Sequence, residues 1–308
     1  MWMVHAALRK RQRGVMGKVY DALKKAEAEG HPAVWSSFPV EETPPAPNRK
    51  GNGSRKSDFV DYSLNALAAG ELEERNREIA AANTARQSLI QPSREVTVDS
   101  TFFAPTLIAF HSPNTSAAEE YNRLAVTLIS AASERPLKRV LIASAQHGEG
   151  RTSVTLNLAC ALARARRRVL VVDADLQRPS HLRFLGLSAE VGFSDAIKKG
   201  LPAGAAAVRV QPYGFDLLPT REQIKNSAEL LSSPSFGEMM ELFEPDYDFI
   251  LFDSPPLMAV ADCSLLIRHS DVTVLVIRSG KTTSGQIGKA VAPLVQEKIL
   301  GVVLNRAS

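Results

Sequence analysis

The chain is poor in several features that would make whole classes of function easy to argue. It has two cysteines in 308 residues, Cys160 and Cys263. Both sit in apolar stretches without metal-ligand spacing, which fits small buried thiols in a reducing compartment. No apolar run approaches the ~18–20 residues needed to cross a bilayer. Residues 1–15 carry Arg9, Lys10, Arg11 and Arg13 but lack the apolar core of a secretory signal. The formal net charge is +4, and basic residues are interspersed with acids beyond the N-terminus. No charge surplus therefore argues for a nucleic-acid partner. What is present is an ordinary globular composition, 44% apolar, enough for a sizeable core. The expected location is cytoplasmic.

The chain divides by composition. Residues 1–30 combine the basic start with a short amphipathic helix over 17–29, on which Val19, Leu23 and Ala26 share a face. Met16 is favoured over Met1 as the true start. Residues 31–100 read as a linker: Pro and Gly concentrate over 31–60, where disorder is expected, and a polar helix is expected near 71–85. From residue 101 to 308 strands and helices alternate. That pattern predicts an α/β, doubly wound, mostly parallel sheet with helices on both faces, following a partly disordered N-terminal extension. Strands are expected near 137–144, 168–173, 215–219, 248–253, 272–278 and 299–304. Helices are expected near 117–133, 152–166, 228–243 and 284–297.

The most informative stretch is residues 140–153, Val-Leu-Ile-Ala-Ser-Ala-Gln-His-Gly-Glu-Gly-Arg-Thr-Ser. An apolar strand runs into a glycine-containing loop and then a helix, the layout in which backbone N–H groups hold a polyphosphate. Measured against G-x-x-x-x-G-K-[ST], Ala145 takes the first Gly position, Gly150 the second, Arg151 the Lys position and Thr152 the metal-ligand position. A strand-to-helix turn rich in glycine also occurs without any ligand. Two further strands end in acid: Val169–Val172 runs into Asp173-Ala174-Asp175, and Phe249–Phe252 into Asp253-Ser254-Pro255. Carboxylates at the ends of parallel strands lie beside the ligand crevice of such a sheet, where they can hold Mg²⁺ or take a proton. The plainer reading is that each caps the next helix or turn.

Together these motifs resemble the cytoplasmic kinase domain of bacterial tyrosine autokinases of capsule and exopolysaccharide synthesis, the CpsD/CapB type, within the MinD/ParA group of P-loop NTPases. The resemblance runs from about Thr101 to Ser308. It rests on Ser144–Ser153 as Walker A, Val172-Asp-Ala-Asp-Leu-Gln-Arg-Pro179 as Walker A′, and Phe252-Asp-Ser-Pro-Pro256 as Walker B. It implies ATP and Mg²⁺ as cofactors. Gly148, Glu149, Gly150, Arg151, Thr152, Ser153 and Asn305 would bind the nucleotide, with Asn305 facing the adenine. Thr152, Asp175 and Asp253 would hold the metal, and Asp173 would be the base toward a tyrosine hydroxyl. The resemblance also implies a separate membrane polysaccharide copolymerase as partner, and a homo-oligomer.

The departures from the family pattern are specific. Arg151 replaces the Walker A lysine, and a planar fork is not equivalent to a compact ammonium. The Walker A′ arginine falls on Gln177. Of the oligomerisation pattern E-x-x-R-x-x-R only Glu119 remains, with Asn122 and Ala125 in place of both arginines. The five tyrosines (Tyr20, Tyr62, Tyr121, Tyr213, Tyr247) are scattered, and no tyrosine cluster follows Asn305. The expectation is an ATP-binding, tyrosine-kinase-like protein of exopolysaccharide synthesis with reduced activity. The alternatives are a non-catalytic regulatory module that docks the copolymerase, and a MinD/ParA-type positioning ATPase. The last is disfavoured by Gln146 and His147 where that group has a lysine.

Overall fold

The computed structural model describes residues 81, 84–87, 89–92, 94–258, 262–292, 294 and 298–305. The expectations for residues 1–30 and 31–60, and most of the helix expected near 71–85, lie outside the described residues. Residues 39–89 form a unit of their own, of which the described residues 81, 84–87 and 89 are helical. The description below concerns the larger unit from Ile90 onward.

Its core is one eight-stranded sheet. The strands are β1 (Arg94–Thr97), β2 (Arg139–Ser144), β3 (Val169–Asp173), β4 (Val208–Gln211), β5 (Phe215–Leu218), β6 (Phe249–Asp253), β7 (Val272–Arg278) and β8 (Ile299–Asn305). Their order is β1-β4-β5-β3-β6-β2-β7-β8. Every pair is parallel except β4 with β5. The sheet is therefore mostly parallel, as the alternating sequence pattern implied.

Alternation along the central strands builds two apolar layers. Val140 and Ile142 of β2, Val169 and Val171 of β3, and Phe249 and Leu251 of β6 join the core on one face. Leu141, Ala143, Leu170, Val172, Ile250 and Phe252 join the core on the other. Strands buried on both faces need helices on both sides, and these are present. On the first face lie α1 (Ile108–His111), α2 (Ser116–Glu134) and α3 (Arg151–Arg164). Between β3 and β4 come α4 (His181–Phe184) and α5 (Phe193–Lys199). Then follow α6 (Ser227–Ser232), α7 (Pro234–Phe243), α8 (Asp262–Arg268) and α9 (Ser284–Val291). Helix α3 is buried almost all round, from Ser153 through Leu162, because it is wedged between the sheet and α2. Thr115 starts α2 by accepting the Ala118 N–H.

Two expectations are corrected. The single helix expected over 228–243 is two, α6 and α7. Pro234 has no N–H to continue α6, while Ser233 caps α7 through the Phe236 N–H. Strands β1 and β4 were not anticipated. They are four-residue segments at one margin of the sheet, too short to carry an alternating signal. With β1 paired to β4 and Ile90 and Val98 buried, the folded unit begins before residue 101.

Candidate functional site

The register of the sheet gathers the acids. Asp173 and Asp253 are direct partners across β3 and β6, and β2 lies on the other side of β6. The loop leaving β2 therefore starts beside both carboxylates. Gly148 and Gly150 hold φ of +77° and +94°, a region L side chains avoid. At Gly150 a Cβ would also collide with Asn305 Nδ2. These two glycines turn the chain into α3, whose start has no side-chain cap. Its first intrahelical bond runs from Val154 N–H to the Gly150 carbonyl. The N–H groups of Arg151, Thr152 and Ser153 thus point off the helix end without intrahelical acceptors.

Three bonds fix the loop. Glu149 is buried and accepts from Gln146 N–H at 2.8 Å and from the Thr282 hydroxyl. Asn305 Nδ2 donates to the Glu149 carbonyl at 3.0 Å. The ends of β7 and β8 are thereby tied to the loop tip. Ser153 is turned away: its hydroxyl donates to Thr106 at 2.9 Å.

Arg151 folds inward. It donates to Ser144 Oγ at 2.7 Å and to Asp175 Oδ2 at 3.1 Å, and its Nε lies 3.8 Å from Asp253 Oδ1. It is 8% exposed. Thr152 Oγ1 donates to Asp253 Oδ2 at 2.6 Å. Burial pushes the Asp175 carboxyl up to about 7; Arg151 opposes this, and Asp253 and Asp173 add to it. The Arg151–Asp175 pair is therefore fully ionised only above about pH 7. Burial also raises Asp253, against the pull of His181 and Arg151.

Asp173 does the plainer of the two jobs the sequence left open. Its Oδ2 accepts the Ser180 and His181 N–H groups at 3.0 and 3.2 Å, capping the start of α4. Its Oδ1 is buried with no hydrogen-bond donor, and Asp253 Oδ1 has none either, only Arg151 Nε at 3.8 Å. Unpartnered carboxylate oxygens converging in a buried crevice fit a cation. His181 also enters this cluster, and sequence reasoning missed it. A histidine eight residues after a strand end carries no motif. The signal that could have found it is Ser180-His181 opening a helix that Asp173 caps.

These observations place a phosphate-type loop, a helix start and paired acids in one crevice. The AAA domain family matches residues 137–297. The chain is 35% identical over 202 residues to tyrosine-protein kinase YwqD of Bacillus subtilis, covering 65% of this chain and 85% of that protein. The chain belongs to the bacterial tyrosine-protein kinase family. Tyrosine-protein kinase wzc of Salmonella typhimurium is 28% identical over 201 residues, which is 28% of that protein's length. The kinase domain of the Escherichia coli tyrosine kinase ETK superposes with a TM-score of 0.63 at 25% identity, covering 71% of this chain and 91% of that domain.

The residues at which the sequence departs from the expected pattern now have positions. Gln177 reaches Ser227 Oγ at 3.2 Å and Asp262 Oδ2 at 3.5 Å, so it packs between α6 and α8. Asn122 Nδ2 donates to Glu119 at 2.9 Å, and Ala125 is buried. Of the described tyrosines, Tyr121 and Tyr247 are buried, and burial raises both phenols. Among the described residues no helix is long and apolar enough to cross a membrane.

Proposed function

We propose that this chain binds ATP and Mg²⁺ in the loop of residues 144–153, and is a tyrosine-kinase-like protein of exopolysaccharide or capsule synthesis with reduced intrinsic activity. The observation that carries this reading is Arg151, whose guanidinium is held by Ser144 and Asp175 beside Asp253. Gly148, Glu149, Gly150 and the first turn of α3 shape the phosphate cradle, and Asn305 closes it on the adenine side. Thr152, Asp175 and Asp253 would hold Mg²⁺. When bound, that ion neutralises charge on the phosphate oxygens.

The protein's own contribution is positioning and proton handling. Asp173 is the base toward an incoming tyrosine hydroxyl, a role supported by its Oδ1 having no hydrogen-bond donor. Arg151 must leave Asp175 before it can meet the phosphates. Arg178 is exposed, and its charge is felt at His147 in the loop; it supplies a second cation at the mouth. Tyr121 and Tyr247 are buried, and Tyr213 is half-buried against Phe103 and Phe110, which favours a substrate tyrosine supplied by another protein. A membrane copolymerase at the inner face of the membrane is the proposed partner.

The test is calorimetry with Mg-ATP, followed by phosphotyrosine detection on an added tyrosine peptide. Binding with weak phosphorylation that rises in Arg151→Lys is expected, since a misplacement of about 1 Å can cost on the order of a hundredfold in rate. No binding at millimolar nucleotide refutes the reading. Strong wild-type phosphorylation, unchanged in Arg151→Lys, refutes the role given to Arg151. Binding with no phosphorylation in either protein favours the non-catalytic docking module.

A further inference from the structure

His181 is fully buried, and its imidazole lies between two carboxylates. Nδ1 is 3.0 Å from Asp173 Oδ2 and Nε2 is 3.6 Å from Asp253 Oδ2. Neither ring nitrogen is in line for a hydrogen bond, and Asp173 Oδ1 and Asp253 Oδ1 receive none either; Asp253 Oδ1 has only the longer ion-pair contact to Arg151 Nε at 3.8 Å. One ligand atom from each of the three residues lies within 4.8 Å of the other two. Buried polar atoms are normally satisfied, and a cluster left open signals a missing partner.

We propose that Asp173, His181 and Asp253 form a binding site for one divalent transition-metal ion of the class that accepts imidazole, such as Mn²⁺ or Zn²⁺, occupied without nucleotide. The donor set argues for this class. An imidazole with carboxylates suits Mn²⁺ and Zn²⁺, whereas Mg²⁺ prefers oxygen ligands and keeps its waters. Three protein ligands with an open position is the usual arrangement of a non-structural zinc site, at about 2.0–2.2 Å per ligand.

Charge points the same way. Arg151 compensates Asp175 and reaches toward Asp253, so the guanidinium occupies the Asp175 side of the crevice. Asp173, on the His181 side, has no basic side chain paired with it other than His181 itself. A cation drawn to the three carboxylates is directed away from Arg151 and toward His181. The site shares Asp253 with the Mg²⁺ set of the proposed function but rests on neither nucleotide binding nor kinase activity. Where both hold, an ion on Asp173 removes the base, so the bound transition metal and proton abstraction by Asp173 exclude each other.

The experiment uses the full chain, stripped of metal and nucleotide and titrated with Mn²⁺. Loss of the free-ion electron paramagnetic resonance signal counts bound ions, and pulsed measurement detects ¹⁴N coupled to the metal. One bound Mn²⁺ per chain with nitrogen coupling is expected. His181→Gln should abolish the coupling and weaken binding at least tenfold, with its fold checked by circular dichroism and a cooperative melt. Absence of binding at millimolar Mn²⁺ overturns the proposal. So does binding without nitrogen coupling in the wild type, which places the ion among oxygen ligands alone and is read without any variant. Failure of ATP to bind the same preparation would refute the proposed function and leave this site standing.

Discussion

The two ends of the acid cluster differ in who answers the charge. At the Asp175 end a guanidinium from the loop donates directly to the carboxylate and to Ser144. At the Asp173 end His181 sits within 3.0 Å of a carboxylate, yet buried oxygens and both ring nitrogens remain without hydrogen bonds. The first end is closed by a guanidinium; at the second the basic group is an imidazole set between Asp173 and Asp253. Arg151, at the Walker A lysine position, is the residue that closes the first end. The arginine fork matches carboxylate geometry better than a compact ammonium does.

Arg151→Met attacks the closed end and should have the largest effect. Removing one partner of a buried ion pair leaves uncompensated charge and costs about 3–5 kcal/mol. For a unit of this size that is a fall in Tm of roughly 10 °C. The loss should be greatest at pH 8 and smaller at pH 6, where Asp175 takes up a proton. A thermal melt unchanged at pH 8 would show that Arg151 does not hold the acids in solution.

The next effect is the pH dependence itself. Asp175 titrates near 3.8 when unfolded and is raised to about 7 in the fold. The native state therefore holds more protons between those values, and stability falls as pH rises through that window. Burial pushes His181 down, but Asp173, Asp253 and Asp175 outweigh it and raise its pKa. Its contribution is present below the unfolded value and is lost as pH rises, so both groups act in the same direction. Asp175→Asn should flatten the part between about pH 4 and 7, a difference of about 2–4 kcal/mol across the window. A Tm profile identical to wild type would place the titration elsewhere.

Asp253→Asn tests the residue the two ends share. It should weaken Mg-ATP and Mn²⁺ binding together, by on the order of tenfold or more, while keeping a cooperative melt, because Asp253 faces the crevice rather than the apolar layers. A lost melt would make Asp253 structural.

How much of this was legible beforehand follows from the kind of signal each part carries. The central strands could be read because burial on both faces makes them continuous apolar runs, and their acidic ends mark where the sheet meets its ligand. Thr152, Asp175 and Asp253 come together because the order β3-β6-β2 sets the strand ends side by side. Strands β1 and β4 were hidden, since four residues at a sheet margin have no periodicity to show. His181 was hidden for another reason: its role comes from the turn after Asp175 folding α4 back under Asp173, a tertiary contact without local pattern. The inward turn of Arg151 was also hidden. Sequence names the substitution, but only the positions of Ser144 and Asp175 decide which way the fork points.

The smallest expected effect lies just outside the cluster, at Gln177. Here the resemblance leads one to expect an arginine, and the chain has a neutral amide reaching Asp262 at 3.5 Å and Ser227 at 3.2 Å. Asp262 is 2% exposed at the start of α8. A charge-assisted hydrogen bond is shorter and roughly twice as strong as a neutral one, so Gln177→Arg should gain about 1 kcal/mol, or roughly 3 °C in Tm. The gain should vanish when Asp262→Asn is added, because the arginine then has no carboxylate to meet. If Gln177→Arg instead lowers Tm by a similar amount in both backgrounds, the space between α6 and α8 is too tight for the longer side chain. Gln177 would then be an adaptation of packing, not a lost ion pair. That outcome would set it apart from Arg151, where the exchanged side chain gains carboxylate partners and keeps its charge.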